Sequence, residues 1–175
     1  MGGKLEDSRV KKLVYASLFS ALTAIGAWIT IPLPVPLTLQ TMFTLLAGAV
    51  LGWYFGALSM IVYVLMGLIG LPVFAGGQSG LGVLIGPIGG YLLGFIAGAA
   101  VTGLIVKIKK KPGYLWLCTA MVAGTIVIYL FGVSQLAFVM HLPADRALVL
   151  GVLPFLPGDV LKIMVGAAIA RKIEV

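Results

Sequence analysis

Asp159 and Lys162 can do chemistry in a setting that tolerates little of it. They lie in the run Phe155-Leu156-Pro157-Gly158-Asp159-Val160-Leu161-Lys162-Ile163-Met164-Val165-Gly166, which is otherwise apolar. A helix starting at Pro157 puts them at i and i+3, adjacent on one face. An ionisable group at bilayer depth costs about 2.5–3.5 kcal/mol on insertion scales, so it normally faces a partner or a wet cavity. Two readings follow. The pair is a structural ion pair that cancels its own charge, or it is a polar ligand site with a carboxylate acceptor and an ammonium donor. Neither Cys118 nor His141 has a second residue of its kind. An internal disulfide is thereby excluded, and there is no metal-site signal. Without a nucleophile–base pairing or a metal cluster, an enzyme is not expected.

The elements that must position the pair are membrane helices. Of 175 residues, 61% are hydrophobic and only 10% charged, against about 25% charged in an ordinary soluble domain. Several apolar runs reach the roughly 20 residues that cross a hydrocarbon core. Strand-like alternation is absent, which argues against a membrane barrel. The net charge of +7 is concentrated in short clusters: Lys4, Arg9, Lys11 and Lys12; Lys107, Lys109, Lys110 and Lys111; Arg171 and Lys172. Such clusters at span ends fix topology by the positive-inside rule. They carry no interleaved aromatic platform, so nucleic acid is a poor fit.

The expected architecture is all-α: one transmembrane domain over residues 1–175, in the plasma membrane, with both termini cytoplasmic. Six spans run roughly over 11–31, 41–53, 55–69, 84–106, 114–140 and 156–171. The second and third come from one long apolar stretch, residues 42–69. As a single helix it would be about 42 Å long, and one span there would put the basic loop on the wrong side. A break near Gly52-Trp53-Tyr54-Phe55-Gly56 restores parity and leaves the aromatic trio at an interface.

Small residues at Ala16, Ser20 and Ala24 let another helix approach span one, either inside this chain or on a separate membrane subunit. A second stripe is Gly90, Gly94 and Gly98. Three alternate prolines in Ile31-Pro32-Leu33-Pro34-Val35-Pro36-Leu37-Thr38-Leu39-Gln40-Thr41 favour an extended segment lying on the bundle, as a lid or a rigid connector. The glycine-rich Gly70-Leu71-Pro72-Val73-Phe74-Ala75-Gly76-Gly77-Gln78-Ser79-Gly80 has neither dinucleotide nor P-loop spacing. Ser134 and Gln135 read as helix-to-helix hydrogen bonders, and residues 141–152 as an outer loop with solvated Asp145 and Arg146. This order brings Gln40, Gln78, Tyr91 and Asp159 towards one outer level, which favours a pocket over a lone ion pair.

Four segments in order resemble the BioY family, the biotin-specific S components of energy-coupling factor transporters. They are Pro34-Val35-Pro36-Leu37-Thr38-Leu39-Gln40-Thr41, Gly70-Leu71-Pro72-Val73-Phe74-Ala75-Gly76-Gly77, Gly86-Pro87-Ile88-Gly89-Gly90-Tyr91-Leu92-Leu93-Gly94-Phe95 and Phe155-Leu156-Pro157-Gly158-Asp159-Val160-Leu161-Lys162. The resemblance implies six membrane helices, high-affinity biotin binding near the outer face, and loops that close over the ligand. It also implies a transmembrane coupling subunit and two cytoplasmic ATP-binding subunits as partners, with biotin as ligand and no cofactor. By the same resemblance, Ala16, Ser20 and Ala24 form the docking stripe, Ser20 departing from the usual alanine. Asp159 is expected to accept from the ureido N–H groups, with Lys162 and Gln78 as polar partners. Tyr91 is expected to meet the ring or add a hydrogen bond, and Gln40 to complete the site. The rival function is a solitary proton-coupled biotin carrier, for which clear inverted repeats are missing.

Overall fold

Apolar segments in lipid must satisfy their backbone N–H and C=O groups internally, which selects helices. A computed structural model describes residues 2–33 and 35–173, with side chains from Arg9 onward. The Lys4 side chain of the first basic cluster and Pro34 of the proline segment lie outside the described residues. The elements are α1 (Gly2–Trp28), β1 (Thr30–Ile31), β2 (Leu37–Thr38), α2 (Gln40–Leu68), a 3-10 turn (Ala75–Gly77), α3 (Leu81–Ile85), α4 (Gly89–Lys107), α5 (Tyr114–Val139), α6 (Ala144–Gly151) and α7 (Leu156–Lys172). Among the described residues, α1, α2, α4 and α5 are long and apolar enough to cross a membrane. A fifth span is added if α6 and α7, bent by 52°, count as one. The chain is a mostly helical, multi-pass membrane protein.

The helix α2 is not straight. Gly52 interrupts it with φ 78° and ψ 175°, a backbone region that is essentially reserved for glycine. Thr44 Oγ1 lies 3.1 Å from Met60 Sδ, although sixteen residues of continuous helix would separate them by about 24 Å. Gln40 bonds to Tyr63 in the same way, and a Cβ on Gly56 would stand 2.7 Å from Gly48 Cα. All three pairs are centred on Gly52. The element therefore folds back on itself as two antiparallel arms, with Trp53 and Tyr54 exposed at the reversal.

The glycine stripe of α4 packs on α5: a Cβ on Gly94 would lie 2.9 Å from Ile128 Cα, and one on Gly98 2.9 Å from Gly124 O. Backbone contact this close lets two apolar helices gain dispersion energy where lipid offers no hydrophobic drive. Gln135 caps the arrangement, its Nε2 donating to Leu84 O and Gly86 O at 2.7 Å each. Those carbonyls lie in the last turn of α3 and in the break before α4, inside the stretch that the sequence reads as one span from 84. Ser134 instead donates to Leu130 O of its own helix.

Two expectations need correction. Residues 141–152 hold the helix α6, with Asp145 and Arg146 exposed and Ala147 buried. The second concerns the small-residue stripe of α1, which faces inward. Ala16 and Ser20 are buried, and Ser20 Oγ donates to Ser59 O of α2 at 2.6 Å. Ala24 is half-buried. The stripe serves packing within this chain, because a small hydroxyl there admits the second arm of α2 and satisfies its own donor against it.

The helices run so that Lys11, Lys12, the basic residues 107–111, Arg171, Lys172 and the Gly52 reversal share one end. Lys12 Nζ stands 5.7 Å above the Phe55 ring, and Lys109 Nζ 4.1 Å above Trp116, which suits amphipathic side chains at a membrane interface.

Candidate ligand-binding site

At the opposite end lies a cavity of about 610 Å³, counting the part continuous with solvent. The proline segment forms one wall. Thr30 pairs with Thr38 and Ile31 with Leu37, folding the segment down so that Val35, Pro36 and Leu37 line the cavity. The glycine-rich segment adds Phe74 and Ala75, held in place by positive φ at Gly76 and Gly77. Leu92 and Phe95 of α4, Ile128 of α5 and Phe155 before α7 complete an apolar enclosure.

Polar groups enter from α7. Asp159 and Lys162 both line the cavity and are both buried. The expected i, i+3 geometry holds: Lys162 Nζ donates to Asp159 Oδ1 at 3.1 Å. Lys162 Nζ also donates to Thr41 Oγ1 at 3.1 Å, and Tyr129 OH donates to Asp159 Oδ2. An ammonium has three donors and a carboxylate about four acceptor sites. With these contacts made, one N–H of Lys162 and further lone pairs of Asp159 remain for a guest. Paired with each other, the two charges also avoid the several kcal/mol that a lone buried ion costs.

The other expected residues divide. Tyr91 lines the cavity, but its hydroxyl is engaged, donating to Gly151 O at 2.9 Å. What it presents is chiefly its ring. Gln40 also lines the cavity and is buried, with its amide spent on structure. Thr38 Oγ1 donates to Gln40 Oε1 at 2.8 Å, Gln40 Nε2 donates to Tyr63 OH, and Tyr63 OH donates to Val73 O at 2.9 Å. One hydrogen-bond chain thus joins the proline segment to the glycine-rich segment. Trp28 Nε1, donating to Pro72 O at 3.0 Å, makes a second tie. Gln78 is exposed and is not among the cavity walls; its backbone pairs with Phe74.

Sequence reasoning missed Tyr129, Thr41, Thr38 and Phe74. A phenol inside the apolar run of α5 is the one signal for Tyr129, since a buried tyrosine hydroxyl needs a partner. Thr41 ends the proline motif, yet its reach to a lysine 121 residues away has no local trace.

A carboxylate with spare acceptors, an ammonium with a spare donor and aromatic and aliphatic walls suit a small, largely apolar molecule. Its polar head should carry N–H donors and a carbonyl or carboxylate oxygen.

Comparison with known proteins agrees in kind. The family model described as BioY family matches residues 2–175. The chain is 46% identical over 166 residues to the biotin transporter BioY of Thermotoga maritima, covering 94% of this chain and 96% of that one. It is 38% identical over 176 residues to the biotin transporter BioY of Rhizobium etli, covering 94% of each. The fold superposes with a TM-score of 0.89 on a crystal structure of the S-component for biotin from an ECF-type ABC transporter. That match is 29% identical and covers 99% of this chain and 94% of the other.

Proposed function

The chain belongs to the BioY family, and we propose that it is the biotin-capturing S component of an energy-coupling factor uptake transporter. It is a substrate-binding component of a transporter and not an enzyme. In this reading the bundle has six spans: α1, the two arms of α2, α4, α5 and α7. The basic end faces the cytoplasm with both termini, by the positive-inside rule, and the cavity opens outward.

One observation carries the ligand assignment: Asp159 and Lys162 stand side by side in the wall of an apolar cavity with bonding capacity to spare. Biotin offers two ureido N–H donors, a ureido carbonyl, an apolar thiophane ring and a carboxylate tail. Asp159 accepts the N–H groups. Lys162 gives its remaining donor to an oxygen of the ligand. Tyr91 packs its ring against the guest, Gln40 holds the wall, and Gln78 sits on the neighbouring loop, outside the ligand's immediate shell. Biotin is cargo here, and no cofactor is required.

Delivery across the membrane needs a coupling subunit in the bilayer and two ATP-binding subunits in the cytoplasm. Because Ala16 and Ser20 face inward, the face of α1 left for a partner is the outer one, where Ser17 and Ala21 are exposed at i and i+4. Titration calorimetry of the purified chain with biotin tests the reading, with saturable one-to-one binding as the expected result. Proteoliposomes holding this chain alone should not accumulate biotin under a pH gradient. A flat isotherm refutes biotin capture, and gradient-driven accumulation refutes dependence on the ATP-driven partners.

A further inference from the structure

We infer that Tyr129 is a positioning residue for ligand capture, its hydroxyl fixing the plane of the Asp159 carboxylate so that both oxygens keep an acceptor site towards the cavity. This deepens the biotin reading and rests on it.

Asp159 and Lys162 are neighbours on α7, and their contact engages only Oδ1. A carboxylate held by one oxygen still turns about χ2, a broad torsion with a low barrier. The second constraint comes from another helix: Tyr129 of α5 donates to Oδ2. With both oxygens tied, and to groups on different helices, the carboxylate cannot turn without breaking one bond. A phenol is also the right kind of clamp, because a neutral donor adds no charge to compete with the guest for the carboxylate.

Tyr129 is itself supported. Its ring lines the cavity and meets the ring of Tyr91 edge-on, with centroids 6.5 Å apart and planes at 88°. Tyr91 in turn is anchored through its hydroxyl to Gly151 O at the end of α6. The clamp is therefore braced by α4 and α6 as well as by its own helix. Precision of this kind in the groups behind a ligand-binding carboxylate governs how well two donors on a rigid ring can be met together.

The test is a double-mutant cycle on the full chain in detergent, read by biotin titration and thermal unfolding. Tyr129→Phe should weaken biotin binding at least tenfold while the ligand-free protein still unfolds cooperatively. Asp159→Asn should weaken it further, and the double variant should bind no worse than Asp159→Asn alone, because the hydroxyl acts only through the carboxylate. An analogue alkylated on the ureido nitrogens should bind wild type and Tyr129→Phe equally. If Tyr129→Phe fails to fold, Tyr129→Met, smaller than tyrosine but flexible enough to fill the gap and lacking the hydroxyl, takes its place in the cycle. Unchanged or tighter binding by the hydroxyl-free variant overturns the inference, as does additive loss in the double variant. A wild-type protein that ignores biotin fails before any variant is compared, and brings down the functional reading together with this one.

Discussion

Removing charge from α7 in stages separates a ligand site from a structural ion pair. In Asp159→Ala, Lys162 keeps only Thr41 as a partner in the cavity and Tyr129 loses its acceptor. Breaking a buried pair in this way destabilises by about 3–5 kcal/mol, a large share of the roughly 5–15 kcal/mol that holds an ordinary domain together. Affinity falls for a different reason. If two ureido N–H groups each bond to the carboxylate at about 1.5–3 kcal/mol, losing both weakens binding by about 10²- to 10⁴-fold, at 1.4 kcal/mol per decade. The informative protein is the double variant Asp159→Leu, Lys162→Met. Replacing both members of a buried pair by apolar groups of similar volume is often neutral or stabilising. The double variant should thus recover most of the thermal stability lost in Asp159→Ala and still fail to bind biotin. Thermal unfolding in detergent and calorimetric titration on the same preparations read the two quantities independently. Biotin affinity within threefold of wild type in the double variant would show that the pair serves the fold alone and would refute the assignment.

Other perturbations address the scaffold. Gly52→Ala should lower stability by about 1–3 kcal/mol in thermal unfolding, the strain of a backbone region that L-residues avoid; a Cβ there meets nothing within 4 Å, so packing does not contribute. Tyr63→Phe cuts the chain from Thr38 to Val73 at its centre, so radiolabelled biotin should leave faster by about 2- to 10-fold, the worth of one neutral hydrogen bond, with association unchanged. On α1, Ala21→Trp should block co-purification with the coupling subunit and leave biotin binding intact. Ser20→Leu, which forces bulk against Ser59, should instead destabilise the isolated chain by about 1–3 kcal/mol.

The candidate site was legible where its cause is local. Asp159 and Lys162 are three residues apart on one helix, and an ion pair in an apolar run announces itself without knowledge of the fold. The reversal at Gly52 was legible for a similar reason, since length and charge parity demand a break and a glycine flanked by aromatics supplies one. The stripe on α1 shows where local reading stops. Spacing identifies a face that another helix can approach, but the identity of that helix depends on rotation about the α1 axis. Ser17 and Ala21 differ from Ala16 and Ser20 by one residue, or about 100°, and only the contact with Ser59 tells the inner face from the outer. Gln40 fails in the same way: a polar residue at cavity level is visible in sequence, but its commitment to Tyr63 and Thr38 is a tertiary fact. For Tyr129, no spacing rule connects a phenol on α5 to a carboxylate 30 residues on.

These tertiary commitments bear on how binding is driven. Every polar group at the heart of the cavity already has a partner: Asp159 has two, Lys162 two, Gln40 two and Tyr91 one. A guest therefore adds bonds to groups that are already partnered by protein, without rescuing orphaned charges. Covering the aromatic and aliphatic walls adds to these bonds, at about 25 cal/mol per Å² of apolar surface removed from water. The polar cluster is also a filter. A molecule of the same size and greasiness without paired N–H donors would leave the carboxylate's cavity-facing lone pairs dry, and one with an anionic head in that position would meet Asp159 directly. The selectivity of a few braced groups and the walls' share of the affinity are separable quantities, because trimming an apolar wall residue such as Leu92 should weaken all ligands alike, whereas altering Asp159 should change which ligand is preferred as well as how tightly it binds.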